Sequence, residues 1–269
     1  MKNFIKSLKN YIHSELYNLK HYHKIKLITL IFIIIFFPLT IPLSIFAFML
    51  GILLSFLSGK KEYDKSLYKL VTKKTYFTVL FNTGDLAEYC TWKILNNEQE
   101  YKKILINLYI PNKNHTSEID SVLINEYGIF VIESKGYSGW IFGSERDSNW
   151  TQIIYKRKIH FYNPITQNRN HIISLANLLN IENMNIFKSY IVFSNRCELK
   201  KITVTKPNVK VIKRPQLQET LDNDYKVYGK ILNKEQIDYF YNKLYNYMFS
   251  DTNIKEEHIK YVKTLNSKK

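Results

Sequence analysis

The chain has 269 residues, which is enough for one sizeable domain with appendages or for two small domains. Its hydrophobic content of 45% and aromatic content of 15% exclude a largely disordered protein. The net charge of +16 favours an anionic partner, either nucleic acid or an anionic membrane face, although a residue bias toward lysine, isoleucine, asparagine and tyrosine explains it about as well. Cys90 and Cys197 lie far apart without ligand-spaced neighbours, which argues against a structural zinc site and a disulfide framework.

An uncharged apolar run, residues 27–59, follows a basic N-terminal tail, residues 1–26, with six lysines and one glutamate. A membrane-spanning helix needs about 20 apolar residues, so this run predicts a transmembrane segment. The apolar core is too long, and the basic lead too extended, for a typical cleaved signal peptide. Membrane insertion is therefore the first functional feature that the sequence predicts.

Two modes of insertion stay open. A straight helix over the whole run would be about 50 Å long, against a hydrocarbon core of about 30 Å. Pro38 and Pro42 lie near the middle and could kink or turn the helix, so a single tilted span and a Pro-centred hairpin are both compatible with the sequence. The short arms of such a hairpin favour the single span. Lysines flank the run on both sides, and in either arrangement we place the C-terminal domain in the cytoplasm.

Residues 60–75 are predicted to be a basic polar connector whose lysines could contact anionic headgroups. The soluble part then begins with a predicted helix over residues 82–95, capped by Asn82 or Thr83. Glu88 lies off the apolar face of this helix, so the helix pattern alone favours an exposed glutamate. That apolar face has the spacing i, i+4, i+8 and consists of Leu86, Cys90 and Ile94.

Three strands are predicted next, over residues 104–110, 119–124 and 128–134, the first of them ending at Pro111. The second and third form a hairpin whose register depends on the length of its loop. A four-residue loop, residues 125–128, pairs Ile124 with Ile129 and places Asp120 opposite Glu133. A three-residue loop would put the two carboxylates on opposite faces, because a slip of one residue flips every side chain.

With the four-residue loop, Lys135 shares the face of Glu133, since the two lie two residues apart on one strand. Two adjacent carboxylates raise one another's pKa unless a cation lies between them, and a hard divalent ion such as Mg²⁺ accepts carboxylate oxygens. A nearby lysine could orient or deprotonate a water, or stabilise charge on a phosphate. The face therefore suits metal-assisted phosphodiester hydrolysis, and a structural salt-bridge cluster at a sheet end explains the spacing equally well.

An ordered series of short motifs resembles the nuclease-related domain (NERD) family. The motifs are Gly84-x-x-Ala87-Glu88, Glu118-Ile119-Asp120 and Gly128-Ile129-Phe130-Val131-Ile132-Glu133-Ser134-Lys135. The resemblance covers residues 76–195 and continues through Gly139, Trp150, Gln152, Asn163, Pro164, Gln167 and Asn168. Because the family is similar to PD-(D/E)xK nucleases, the resemblance implies an α/β fold with a restriction-endonuclease-like core, a mixed sheet flanked by helices.

The resemblance also implies roles for individual side chains and thereby replaces the interpretation of an exposed helical glutamate. Two positions depart from the family pattern without removing a charge: Ala87 stands at a usual glycine, and Ser134 at a position more often threonine or valine. The implied set is Asp120 and Glu133 as ligands of Mg²⁺ or Mn²⁺, Lys135 as the catalytic lysine and Glu88 as a supporting acid.

Beyond the acids, a hairpin is predicted from residues 150–154 and 158–162. Its basic tip, Lys156, Arg157 and Lys158, suits contacts with nucleic-acid phosphates, and a solvated turn explains it equally well.

A helix capped by Asn163 follows, with Pro164 at its first position and a buried stripe of Ile172, Leu175, Ala176 and Leu179. In the related nucleases a polar residue of this helix reaches the active site, which makes Gln167 the candidate. His171 is interpreted as a surface or packing histidine.

The remaining chain, residues 190–269, is predicted to contain a buried strand at 190–194 and an extension over 196–269. The extension comprises an edge strand at 208–213, a helix from Asn233 to Met248 and a polar lysine-rich tail.

We therefore expect a membrane-anchored α/β protein with a restriction-endonuclease-like core behind an N-terminal transmembrane segment. Its expected activity is metal-dependent phosphodiester hydrolysis, with DNA favoured over RNA as the substrate. The alternative is a non-catalytic module that binds nucleic acid or protein at the membrane. A third hypothesis is a membrane scaffold in which the acids form a salt-bridge cluster.

Overall fold

The computed structural model describes residue 26 and residues 43–97, 99–112, 115–250, 254–258 and 260. The chain divides into two units, Met1–Glu62 and Tyr63–Lys269. Helix α1, Leu43–Asp64, is long and apolar enough to cross a membrane, by its length and composition. Most of the basic tail lies outside the described residues, as do Pro38 and Pro42, on which the choice between a single span and a hairpin depends.

The stretch predicted as a polar connector, residues 60–75, is largely helical in the structure. Helix α2, Leu67–Thr72, begins after Ser66, whose side chain accepts the N–H of Lys69 at 3.1 Å. Tyr68 and Val71 are buried in the main hydrophobic core. The structure thus differs from the prediction. The lysines of this stretch suggested a polar connector, but the residues between them include side chains that pack into the core.

Nine strands make up two sheets in the part of the chain that the structure describes. In chain order they are β1 (Lys102–Asn112), β2 (His115–Asn125), β3 (Gly128–Lys135), β4 (Gly139–Ser144), β5 (Asn149–Ile154), β6 (Arg157–Tyr162), β7 (Phe187–Phe193), β8 (Cys197–Thr203) and β9 (Val209–Lys213). A five-stranded sheet has the order β1-β2-β3-β7-β9, and a four-stranded sheet has the order β6-β5-β4-β8.

The five-stranded sheet is mixed, since β1, β2 and β3 are antiparallel whereas β3, β7 and β9 run parallel. Strand β3 lies at its centre and is buried up to its last residue, as its near-continuous apolar run leads one to expect. Strand β1 extends past the predicted end, and Pro111 pairs with Thr116. Pro111 fits there because β1 is an edge strand, where a missing N–H leaves no inner ladder bond unmade.

The predicted register of the β2–β3 hairpin is confirmed, with Ile124 opposite Ile129 and Ser121 opposite Ile132. The loop is shorter than predicted, because Asn125 already pairs with Gly128 and only two residues lie between them. Both loop lengths give the same register. Gly128 has φ +133°, and a Cβ at this position would lie 2.5 Å from the carbonyl oxygen of Ile186, so the turn requires glycine twice over.

The four-stranded sheet contains the predicted hairpin as β5 and β6, whereas β4 and β8, which pair in parallel, were not predicted as strands. Its inner face forms a second core around Trp150, whose ring stacks on Phe193 at 6.1 Å between centroids. Strand β7 belongs to the first sheet, so Phe193 connects the two sheets through this second core.

The helices that follow α2 in the described chain are α3 (Tyr76–Phe81), α4 (Thr83–Asn96), α5 (Pro164–Leu179), α6 (Leu217–Tyr228) and α7 (Lys234–Tyr245). The cap and the buried stripe predicted for α5 are confirmed, and α7 begins with a capping box between Asn233 and Gln236. Helix α6 was not predicted. Thr91 of α4 meets Ser134 and Gln167 of α5 meets Lys135, so the two helices cover opposite faces of β3.

The buried face of α4 differs from the prediction. Tyr89, Trp92 and Leu95 are buried there, while the predicted apolar residues Leu86, Cys90 and Ile94 are only partly covered. The reason lies outside the helix: Tyr63 packs edge-on against Tyr89 with ring centroids 5.1 Å apart.

Candidate active site

The inner end of β3 and the first turns of α5 bring a carboxylate, an ammonium and an amide into direct contact. Glu133 is 3% exposed, and its Oε1 lies 2.6 Å from Nζ of Lys135. The same ammonium donates to Oε1 of Gln167, on the first turns of α5, at 3.1 Å. The structure therefore brings together three of the predicted site residues, which lie on two separate elements.

Asp120 joins this group from β2. The confirmed register, continued by one residue, places it opposite Glu133, and its Oδ2 accepts the N–H of Ser134 at 2.7 Å. Burial raises the pKa of Asp120 well above its usual range, and the neighbouring charges of Glu133 and Glu88 raise it further. The charge of Lys135 and the hydrogen bond from the Ser134 N–H lower the pKa, but by less. Two carboxylates thus meet where a cation would stabilise their charged forms.

Lys135 is held as an ammonium. Burial alone would lower its pKa, but the carboxylates of Glu133 and Asp120 outweigh this effect and raise the pKa above that of an ordinary lysine. The side chain is therefore suited to stabilising negative charge, rather than to accepting a proton.

His171 lies beside this group, one turn after Gln167. Its Nε2 is 3.8 Å from Oε2 of Glu133, and the residue is only 6% exposed. Burial lowers its pKa, so the ring is neutral at neutral pH. Its burial agrees with the packing alternative of the prediction and excludes the surface one, while the contact with Glu133 was not predicted. The i, i+4 spacing from Gln167 was the available signal for it.

Glu88 is partly buried, which corrects the exposed position favoured by the helix pattern. Tyr68 donates to its Oε2 at 3.1 Å. Burial raises the pKa of Glu88 to about 7, with a further contribution from the charge of Glu118. Glu118 accepts a hydrogen bond from Tyr109 and was not predicted as part of the site. Its position two residues before Asp120 on the same strand face was the signal.

Helix α5 is fixed to the sheet by two asparagines of the recognised motif. Asn163 caps the helix by accepting the N–H of Ile165 at 2.9 Å. Asn168 donates to the Val131 carbonyl at 2.8 Å and to Oγ of Ser189 at 2.9 Å, which joins α5 to β3 and β7. These contacts set the helix at the depth at which Gln167 reaches Lys135.

Helix α4 approaches the same place through a glycine. A Cβ on Gly136, the residue after Lys135, would lie 2.1 Å from the carbonyl oxygen of Thr83. Only glycine permits this approach of the first turn of α4, which explains how Glu88, from the other face of the sheet, acts on the carboxyl of Asp120.

The predicted phosphate contacts, Lys156, Arg157 and Lys158, are exposed at the β5–β6 turn. No hydrogen bond or ion pair between described residues connects them with Asp120, Glu133 or Lys135. Their role stays a prediction.

The donor set at the site fits a hard divalent cation. Asp120 and Glu133 offer carboxylate oxygens, the ligands that Mg²⁺ and Mn²⁺ prefer. Within the described residues no group of three or more histidine, cysteine, aspartate or glutamate side chains is placed to hold a metal ion. A cation here would therefore take its other ligands from water, from backbone carbonyls or from a substrate phosphate.

A mixed sheet flanked by helices, with an aspartate, a glutamate and a lysine at the ends of its inner strands β2 and β3, is consistent with the PD-(D/E)xK superfamily. The chain belongs to the nuclease-related domain (NERD) family, whose model matches residues 83–194. It is also 33% identical, over 147 residues, to an uncharacterized protein of Bacillus anthracis, an alignment that covers 55% of this chain and 67% of the relative. No solved structure matches the chain significantly.

Proposed function

We propose that this chain is a membrane-anchored, metal-dependent nuclease that hydrolyses phosphodiester bonds, with DNA as its substrate. The observation that carries the proposal is the convergence of Asp120, Glu133 and Lys135, with Nζ of Lys135 2.6 Å from Glu133. Family membership supports a nuclease-related function. The choice of metal and substrate is argued from the chemistry of the site.

Each side chain has a separate task in this proposal. Asp120 and Glu133 would hold Mg²⁺ or Mn²⁺, which would supply positive charge to the phosphate and acidity to a water. Lys135 presents a cation to the phosphate oxygens, where negative charge develops during the attack. Gln167 fixes the direction of that ammonium through its 3.1 Å contact. Glu88 influences the site through its charge, since it acts on the pKa of Asp120.

The anchoring part of the proposal rests on helix α1, Leu43–Asp64. The described residues of its apolar portion, 43–57, are exposed in the chain alone, as expected of a segment surrounded by lipid. The lysines that flank the apolar run favour a cytoplasmic position for the C-terminal domain. The net charge of +16 suits a polyanionic substrate.

A non-catalytic binding module is the second candidate. The observation in its favour is the absence, among described residues, of a third histidine, cysteine, aspartate or glutamate placed with Asp120 and Glu133 to hold a metal ion. Such a module would bind nucleic acid at the membrane without cutting it.

The two candidates are separated by incubating the full-length protein, in nonionic detergent, with plasmid DNA, linear DNA and RNA. We expect cleavage with Mg²⁺ or Mn²⁺, none with EDTA, and a loss of at least about 100-fold in Glu133→Gln. Glu126→Gln is the matched control, since Glu126 is a partly buried glutamate that pairs with the exposed Lys230. Cleavage that survives EDTA, or that is equal in Glu133→Gln, would contradict the mechanism. Metal-independent binding without cleavage would favour the module.

His171 is expected to position Glu133. His171→Ala removes the imidazole 3.8 Å from Glu133 and should lower cleavage by about 10-fold or more, whereas His171→Gln, which keeps a polar group, should lose less. The metal concentration that gives the half-maximal rate should rise in His171→Ala. If the rate falls while that concentration stays unchanged, His171 has a packing role only.

A further inference from the structure

The outer face of the four-stranded sheet carries aromatic and basic side chains. Along β4 and β5, Ile141 and Gln152 point inward and are buried. The alternate residues Trp140, Ile153 and Lys158 lie next to one another across β4, β5 and β6 and point outward. Trp140 is 50% exposed, although tryptophan is highly buried on average.

A second row continues this face. Phe142, Thr151 and His160 are register partners two residues along the same strands, so they share the outward direction. Thr151 Oγ1 lies 3.2 Å from Nδ1 of His160, which ties the row together at the surface. Six residues in two rows thus form a continuous surface, which we call the outer sheet face: Trp140, Phe142, Thr151, Ile153, Lys158 and His160.

Positive charge surrounds this face. Nζ of Lys200, on β8, lies 5.2 Å from the centroid of the Trp140 ring, while its ion pair with Glu198, at 2.6 Å, offsets part of that charge. Lys201 is the register partner of Phe142 and is exposed. At the opposite edge, Lys156 and Arg157 of the basic tip add two charges to that of Lys158. Cations on both sides of an aromatic surface complement a phosphate backbone whose bases lie between them.

The outer sheet face begins close to the candidate active site. Only Gly136–Ser138 separate Lys135, at the end of β3, from the start of β4, and Trp140 is the second residue of that strand. Exposed Arg196 donates from Nη2 to the Gly136 carbonyl at 2.7 Å, so a further cation lies between site and face. A strand lying on the face would thus pass a basic residue before it reaches Lys135.

We propose that the outer sheet face binds single-stranded nucleic acid, with a base stacked on Trp140 and phosphates contacting Lys158 and Lys201. This inference rests on the proposed function, because it names the form in which substrate approaches that site. A single strand is favoured over a duplex because only an unpaired base offers a free ring face to an exposed tryptophan. Lysine contacts alone would hold both forms equally well.

Intrinsic fluorescence tests the proposal directly. Of the three tryptophans, Trp92 and Trp150 are 6% and 1% exposed, so quenching by an added base reports on Trp140. The full-length protein in nonionic detergent and EDTA is titrated with a thymidine oligonucleotide of about 20 nucleotides and, separately, with a blunt duplex. We expect quenching by the single strand and little by the duplex. Trp140→Ala should weaken single-strand binding by roughly 10-fold, and Trp140→Phe should weaken it far less.

Tyr239→Ala is the matched control and should leave affinity unchanged. Tyr239 is 51% exposed on α7, which packs against β1 and β2 of the five-stranded sheet. Equal affinity for single strand and duplex, with no effect of Trp140→Ala, would overturn the proposal. Because EDTA suppresses cleavage, binding is measured independently of activity. If the protein binds single strands through Trp140 but never cleaves them with metal, the proposal for the outer sheet face holds and only the proposed nuclease activity is contradicted. If the protein cleaves nucleic acid but Trp140 is not quenched, the nuclease activity holds and the proposal for the outer sheet face is contradicted.

Discussion

Lys135→Gln is expected to lower the rate of DNA cleavage by about 100-fold to 1,000-fold, the loss typical of removing one group that stabilises transition-state charge. The reason is local, since Lys135 places its ammonium 2.6 Å from Glu133 and 3.1 Å from Gln167, and its raised pKa keeps it charged. Glutamine can still donate a hydrogen bond but carries no charge. Initial rates on plasmid DNA with Mg²⁺ or Mn²⁺ measure the effect.

Two further variants distinguish a loss of catalysis in Lys135→Gln from a loss of folding or of charge in general. Removing one partner of a buried ion pair can cost about 3–5 kcal/mol, so thermal unfolding must show that Lys135→Gln is folded. Lys135→Arg keeps the charge and should fold, yet its planar, forked group cannot occupy the same place, so cleavage should still fall. Lys230→Gln removes an exposed lysine that pairs with Glu126, and should cleave normally. Normal cleavage by Lys135→Gln would contradict the proposed role.

The part of the site that could be predicted is the part set by strand geometry. A period of two residues and the parity of one hairpin place Asp120, Glu133 and Lys135 together, and a loop of two residues gives the same register as a loop of four. The cap of α5 was equally local, since Asn163 and Pro164 are adjacent in the chain. Such features need only the residues on either side of a turn.

The features that the sequence could not predict depend on contacts between distant residues. Helical periodicity cannot tell which side of α4 is covered by Tyr63, 26 residues before Tyr89. The contact of His171 with Glu133 joins two elements 38 residues apart in the chain. Strands β4 and β8 pair in parallel across more than 50 residues, and their short apolar stretches give no sign of it.

The burial of Glu88, and next the acidic side chains around it, should make the protein in EDTA less stable as pH rises. Glu88, on α4, is faced by Glu118 of β2, Tyr68 of α2, Lys74 before α3 and Asp85 of its own helix. Its pKa is about 7 in the fold, against an ordinary value of 4.5. Below the ordinary value the carboxyl is protonated whether the chain is folded or unfolded. As pH rises toward 7, the unfolded chain loses the proton first, so unfolding becomes progressively more favourable.

A pKa difference of this size corresponds to about 3 kcal/mol in the free energy of unfolding. We therefore expect Glu88→Gln, which carries no titrating group at this position, to gain about 3 kcal/mol relative to the unmodified chain between about pH 5 and about pH 8. Urea unfolding of the full-length protein with EDTA, at a series of pH values, measures the difference. Glu219→Gln removes an exposed glutamate from the first turn of α6. Its free energy of unfolding should change with pH in the same way as that of the unmodified chain. If Glu88→Gln also runs parallel to it, Glu88 ionises as freely in the fold as in water, and the burial of this carboxyl among acids has no energetic consequence.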